Sequence, residues 1–180
     1  MVIEISENYR SKINSNLYGA GNVSAEIKMV DYSDISFAMK LIEECFDKFV
    51  APDYSEKGIR IFKDSFIHNQ RFIDKFSDGS ERMYGAYSEG ILVGCLSISN
   101  HNTISCVFVK GEFHRKGIGT LLFDTVIKEL KEHNQRFIKL NASPYAVPFY
   151  HAIGFEDIGE AVDYEGIRYT PMIYDFFMCD

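Results

Sequence analysis

The sequence predicts an α+β fold in which helices flank a mixed, largely antiparallel β-sheet. Two stretches, 35–49 and 118–130, carry apolar residues at the spacing of an amphipathic helix. Between them, three short β-branched and aromatic runs are separated by compact turn sequences, which is typical of antiparallel strands. The polar residues 1–22 predict an N-terminal arm, and 23–180 a single domain large enough for one core. The element order is then β-αα-βββ-α-β-α-ββ.

The first half of this order starts with a strand at Ala25–Val30, and Asp31 or Ser33 can cap the helix that follows. The core face of that helix is formed by Ile35, Ala38, Met39, Ile42, Cys45, Phe46 and Phe49. A second helix is expected from about Ser55 to Ile67.

Three successive strands come next, at Met83–Ser88, Ile91–Ser99 and Thr103–Val109. The turns between them are Glu89-Gly90 and residues 100–102, so the strands should form an antiparallel meander.

A long helix from Ile118 to about Asn134 follows the meander, with a core stripe of Ile118, Leu121, Leu122, Val126 and Leu130. The remaining elements are a strand at Phe137–Leu140, a short helix at Ala146–Ala152, and two strands at Phe155–Ile158 and Ile167–Phe177.

Composition argues against several classes of function. The net charge of −7 and the lack of a basic face argue against a nucleic-acid partner. No run approaches the ~18 apolar residues of a membrane span, and the acidic residues near the N-terminus are not typical of a signal peptide. No metal-site spacing occurs among the four cysteines, so we expect no metal, and a reducing, cytoplasmic location with buried thiols at Cys45, Cys95 and Cys106.

The stretch from Val107 to Thr120 is the most informative in the chain. A strand pattern stops at Gly111, two basic residues follow, and Gly117-Ile-Gly119 opens the long helix. Backbone N–H groups at such a helix start can hold an anion such as a phosphate. The glycines alone fit a plain strand-to-helix turn equally well.

Two common phosphate loops do not fit this stretch. A nucleotide-triphosphate loop places its lysine after the second glycine, whereas Lys116 precedes Gly117. A dinucleotide loop needs a third glycine where Leu122 stands, and an acidic residue near position 139, which is a lysine.

A second block lies one helix downstream and contains Asn141 and then Tyr150-His-Ala-Ile-Gly154-Phe155. Together with His114-x-x-Gly117-x-Gly119, it resembles the GNAT family of N-acetyltransferases, which bind acetyl-CoA. That family has Gln or Arg where this chain has His114, a residue that can also donate to a phosphate. The resemblance covers about Ala25 to Phe177.

The resemblance implies a fold in which the fourth and fifth strands splay apart and the acetyl-CoA arm lies between them. One backbone N–H near Val107 or Phe108 would polarise the thioester. Tyr150 would be the general acid, or else a core aromatic residue, and Asn141 would contact the cofactor, or else end its strand. The residues implied to bind acetyl-CoA are Val107, Phe108, Val109, His114, Arg115, Lys116, Gly117, Ile118, Gly119, Thr120 and Asn141.

The expected activity is therefore direct transfer of an acetyl group from acetyl-CoA to an amine of a small molecule or peptide. A non-catalytic acyl-CoA-binding or sensing domain is the alternative. The negative net charge favours a cationic amine, and a homodimer is left open. The sequence does not identify the general base: the fourth strand has no carboxylate, a lone loop His101 is more often only solvated, and other candidates are Asp53, Tyr54, Glu56 and His68.

Overall fold

The β-strands form two antiparallel groups in a computed structural model that describes residues 24–177. The arm predicted for 1–22 lies outside the described residues. The first group is ordered β1-β2-β3-β4, with β1 Glu26–Met29, β2 Glu81–Ser88, β3 Ile91–Ser99 and β4 Ile104–Val109. In the second group β8 is paired with the other three strands, which are β5 Phe137–Ala142, β6 Glu156–Asp157, β7 Val162–Tyr164 and β8 Ile167–Asp175.

Helices cover both faces of the sheet, and each face has its own apolar core. The helices are α1 Ile35–Phe49, α2 Glu56–Phe62, α3 Gln70–Asp78, α4 Ile118–Glu132 and α5 Val147–Ala152. Side chains of α1 to α3 pack with Met83, Cys95 and Cys106 on one face. Side chains of α4 and α5 pack with Leu96 and Leu140 on the other. The predicted α+β class is confirmed.

Among the described residues, the two strand groups meet only where β4 and β5 begin. Thr103 and Lys139 form a single parallel bridge, and the Lys139 N–H donates to the Asn102 carbonyl at 2.9 Å. Beyond this point, within residues 24–177, no backbone hydrogen bond joins Ile104–Val109 to β5. The predicted splaying of the fourth and fifth strands is therefore present, and it opens a gap along the outer edge of β4.

Helix α3 was not predicted from the sequence, although its ends carry the usual signals. The Asn69 side chain accepts from the Arg71 N–H at 3.0 Å, and Gly79 ends the helix at φ +77°. The predicted second helix is α-helical only to Phe62 and continues as a π turn over Lys63–Ile67. Apolar spacing alone does not separate these two segments.

Other elements differ from the prediction in detail. Strand β7 was missed because all of its side chains are exposed and it has no apolar pattern. Leu121, predicted for the core stripe of α4, is 37 % exposed, whereas Phe123 is 1 % exposed and packs in the core. Neither Asp31 nor Ser33 caps α1, because a 3-10 turn intervenes and Asp34 is the N-cap residue.

A polar cluster connects α4 to β2. The Glu129 carboxylate accepts from the Tyr84 hydroxyl at 2.5 Å and pairs with the Arg82 guanidinium. Both charged side chains are less than one-third exposed, and the Arg82 Nε has no hydrogen-bond partner among the described residues. The pairing thus balances a largely buried charge that would otherwise be costly.

We expect Glu129→Ala to lower the free energy of unfolding by about 2 kcal/mol, because it leaves the Arg82 charge without its partner. Urea denaturation measures this quantity. Glu132→Ala on the exposed last turn of the same helix is the matched control and should cost less than about 0.5 kcal/mol. Equal losses in the two variants would contradict a stabilising role for the pairing.

Candidate active site

The outer edge of β4 presents backbone groups to the gap that are not paired with any strand among residues 24–177. Lys110 donates its N–H to the Val93 carbonyl at 2.9 Å, which makes Val109 and Gly94 a non-hydrogen-bonded pair. The N–H and C=O of Val109 therefore point away from β3. Because backbone groups alternate in direction along a strand, the N–H and C=O of Val107 point away from β3 as well. A ligand in the gap meets these groups first.

A β-bulge changes the register at the start of this edge. Ile98 is opposite Ile104 and Ser97 is opposite Cys106, so Ser105 is the extra residue of β4. Ser105 lines the gap, and it was not singled out from the sequence.

The gap opens into a cavity of about 870 Å³ that brings together nearly all the predicted site residues. Lys116 is the exception: its ammonium lies over the Phe113 ring, 5.4 Å from the centroid, and the residue is not part of the cavity wall. The predicted residues that do line the cavity are Val107, Phe108, Val109, His114, Arg115, Gly117, Ile118, Gly119, Thr120, Asn141 and Tyr150.

The glycine turn has the geometry of an anion site, but its two glycines serve different purposes. Gly117 adopts φ +82°, which disfavours other residues. Gly119 is required by packing, because an added Cβ would lie 2.9 Å from the Phe149 ring. The first N–H groups of α4, from Ile118 to Thr120, donate to no described residue and remain available to a ligand.

The His114 ring packs within the protein. Its Nε2 lies 2.7 Å from the Val109 carbonyl, which can only accept, so this nitrogen carries the proton. Its Nδ1 lies 3.3 Å from the Tyr145 hydroxyl, and the ring packs against Phe49 with centroids 4.5 Å apart. His114 thus connects the turn after β4 to α1, and no local sequence pattern predicts the aromatic contacts from Phe49 and Tyr145.

Tyr150 lies in α5 and reaches the cavity from the α4 face of the sheet. The residue is only 7 % exposed, and its ring contacts Phe123 and Phe155 edge-on. The hydroxyl makes no hydrogen bond to a described residue, and burial raises the pKa of Tyr150 well above its ordinary value of 10. The phenol therefore keeps its proton at neutral pH and can donate it.

Asn141 lies inside β5, opposite Pro171, rather than just past the strand as the sequence suggested. Its side chain is exposed on the cavity wall and makes no hydrogen bond to a described residue. An amide in this position can both donate and accept.

Of the residues considered as a general base, Tyr54 alone lines the cavity. The His68 Nε2 lies 3.3 Å from a Glu43 carboxylate oxygen, and His101 is exposed in the β3–β4 turn. Neither histidine is on the cavity wall, nor are Asp53 and Glu56.

A buried carboxyl, Glu81, lies behind the cavity wall and was missed from the sequence. It is 2 % exposed, and its Oε1 has no hydrogen-bond partner among the described residues. Burial raises the pKa of Glu81, whereas interactions with the Ser105 and Ser97 hydroxyls and the charges of Lys75 and Arg82 lower it. Because β2 carries this residue to the bulge of β4, only the strand pairing reveals its proximity to Ser105.

Within residues 24–177, no group of three or more His, Cys, Asp or Glu side chains is arranged to hold a metal ion. No described helix is both long and apolar enough to cross a membrane.

Comparison with known families decides the identity of the fold. The family model for the acetyltransferase (GNAT) domain matches residues 50–176. The chain belongs to the GNAT acetyltransferase family. No curated protein matches the chain. The resemblance expected from the glycine turn and the Tyr150 block is confirmed, and this GNAT domain is a transferase of the acyltransferase class.

Solved structures agree with this GNAT fold. A GCN5-related N-acetyltransferase from Rhodopseudomonas palustris has a TM-score of 0.75 at 18 % identity, covering 88 % of this chain and 100 % of that one. The PaiA N-acetyltransferase from Thermoplasma acidophilum, in complex with coenzyme A, has a TM-score of 0.69 at 20 % identity, covering 85 % and 99 %. An aminoglycoside 6′-N-acetyltransferase, also complexed with coenzyme A, has a TM-score of 0.59 at 12 % identity, covering 83 % and 96 %.

Proposed function

We propose that this protein transfers an acetyl group from acetyl-CoA directly to an amine. The observation that carries the proposal is the single cavity in which the free edge of β4, the N-terminus of α4 and Tyr150 meet. Coenzyme A complexes of two proteins with this fold support the choice of donor.

In the proposed complex the pantetheine arm takes the place of a neighbouring strand along Val107, Phe108 and Val109. Since His114 already bonds the Val109 carbonyl, the backbone groups of Val107 are the available pair. The Val107 N–H would polarise the thioester carbonyl and stabilise the oxyanion. Asn141 would contact the arm from β5.

The pyrophosphate would lie at the start of α4. The free N–H groups of Ile118, Gly119 and Thr120 and the positive end of the helix dipole favour an anion there. Arg115 adds a full charge on the cavity wall, and Lys116 adds one from outside it.

The chemical step would join the amine nitrogen to the acetyl carbon and break the C–S bond. Tyr150 would give its proton to the departing thiolate of CoA. Glu81 would take the proton of the attacking amine through the Ser105 hydroxyl, which lies between this carboxyl and the cavity. Exchange with solvent then restores both groups.

The cofactor site is tested by Gly117→Glu, which adds a side chain and a negative charge where the pyrophosphate is proposed to bind. We expect acetyl-CoA affinity to fall by roughly 100-fold, measured by calorimetry. Gly79→Glu is the control, because Gly79 has a similar φ of +77° and open space around it but lies at the end of α3. Unchanged affinity in Gly117→Glu would contradict the site.

The acid is tested by Tyr150→Phe, which keeps the ring packing and removes the proton. We expect kcat to fall about 100-fold with acetyl-CoA affinity unchanged. Released CoA thiol reports turnover with a panel of amines, and Tyr87→Phe, which is off the cavity, controls for loss of a hydroxyl elsewhere. Full turnover by Tyr150→Phe would exclude the acid role, and binding without turnover in the unmodified protein would favour the sensing alternative.

The base is tested by the pH dependence of kcat/KM. Because the carboxylate form of Glu81 accepts the proton, kcat/KM should rise with pH through the raised pKa of Glu81. Glu81→Gln should lower kcat about 100-fold and remove this acid limb, and Ser105→Ala should also lower kcat. Ser97→Ala is the control, since Ser97 faces the same carboxyl but does not line the cavity. An acid limb that persists in Glu81→Gln at a pH below the range in which the acceptor amine itself titrates would rule out the relay.

A further inference from the structure

The cavity has a second part on the α1–α2 side of β4, which we call the acceptor lobe. Its walls are formed by Cys45, Val50, Tyr54, Phe62, Cys106 and Phe108. All six belong to or pack against the apolar core under α1 to α3, on the opposite face of the sheet from α4 and Tyr150. An acceptor in this lobe would approach the Val107 N–H, where the thioester is proposed to lie, from the face of the sheet opposite α4.

The acceptor lobe contains no counter-ion for a positively charged substrate. Among the described residues that line the whole cavity, Arg115 is the only Lys, Arg, Asp or Glu, and it lies in the turn before α4. The net charge of −7 is therefore carried elsewhere on the chain. A second ammonium group on the acceptor would be desolvated here with no carboxylate among the described residues of the cavity wall to pair with it, which is costly.

The walls of the lobe are aromatic and held in place by their own packing. The Phe62 ring stacks on Phe46 with centroids 4.2 Å apart and planes 6° apart, and Tyr54 meets Phe46 edge-on at 5.8 Å. Fixed ring faces and edges of this kind favour an apolar or aromatic body.

Tyr54 provides the acceptor lobe with an uncharged polar group, its phenol hydroxyl. Its hydroxyl makes no hydrogen bond to a described residue. Burial, and to a smaller extent the nearby Asp53, raises the pKa of Tyr54 to about 12, so the phenol is neutral at physiological pH. It can donate or accept one hydrogen bond but cannot neutralise a cation.

We propose that the acceptor is a primary amine attached to an apolar, aromatic body that carries no second positive charge. The proposal rests on the proposed acetyl transfer and names the substrate class of the same site. The single amine reacts in its neutral form, so it needs no carboxylate partner in the lobe, whereas a diamine or polyamine does.

Two amines of nearly the same shape test this directly. 4-Methylbenzylamine and 4-(aminomethyl)benzylamine differ in that the second carries an additional amino group. With acetyl-CoA and the unmodified full chain, we expect kcat/KM for 4-methylbenzylamine to be roughly 100-fold higher, measured by released CoA thiol. Equal or higher kcat/KM for the diamine would overturn the proposal, and so would failure of both amines to react in a protein that binds acetyl-CoA.

A substitution in the acceptor lobe provides a second, independent test of the substrate preference. Tyr54→Glu places a carboxylate in the lobe and should shift the ratio of the two kcat/KM values toward the diamine by at least about 10-fold. Tyr54→Phe is the matched control and should keep the preference for 4-methylbenzylamine. An unchanged ratio in a folded Tyr54→Glu that still binds acetyl-CoA would count against the lobe as the acceptor site.

Calorimetry with acetyl-CoA alone distinguishes failure of the proposed acetyl transfer from failure of the proposed acceptor class. If the unmodified protein does not bind acetyl-CoA at millimolar concentration, the proposed function itself is wrong. If it binds acetyl-CoA and prefers the diamine, only the assignment of the acceptor class is wrong.

Discussion

The divergence of β4 from β5 is the constraint on which the rest of this structure depends. The two strands share one bridge, between Thr103 and Lys139, and then diverge, so the outer edge of β4 has no partner strand in the part of the chain that the structure describes. Unpaired backbone groups away from water are unfavourable, and a ligand with its own amides can replace the missing strand. The Val107 groups are the ones left available, because the Val109 carbonyl is already bonded by His114.

Packing of aromatic rings holds this gap open. Phe49 occupies the space beside Gly111, where an added Cβ would lie 2.8 Å from its ring, and Phe149 does the same beside Gly119. His114 joins Phe49 to the β4 edge. Gly111 and Gly119 are therefore needed for packing, and the presence of glycines in this segment is by itself weak evidence for a ligand.

In the proposed site, positive charge and acid–base chemistry are assigned to different residues. Arg115 and the start of α4 provide positive potential at one end of the cavity, and the acceptor lobe provides none at the other. Burial raises the pKa of both Tyr150 and Glu81, but the consequences differ. The Tyr150 phenol remains a proton donor, whereas the Glu81 carboxylate becomes a stronger base than one in water.

The sequence by itself determined the α+β class, most elements and the order of the glycine turn and the Tyr150 block, because periodicity and turn residues are local. It missed α3 and β7, whose apolar patterns are short or missing. Only the tertiary structure decided that His114 bonds Val109, that Lys116 lies outside the cavity wall and that Glu81 lies behind Ser105. These relations depend on strand pairing and on contacts between residues far apart in the chain, which no local pattern encodes.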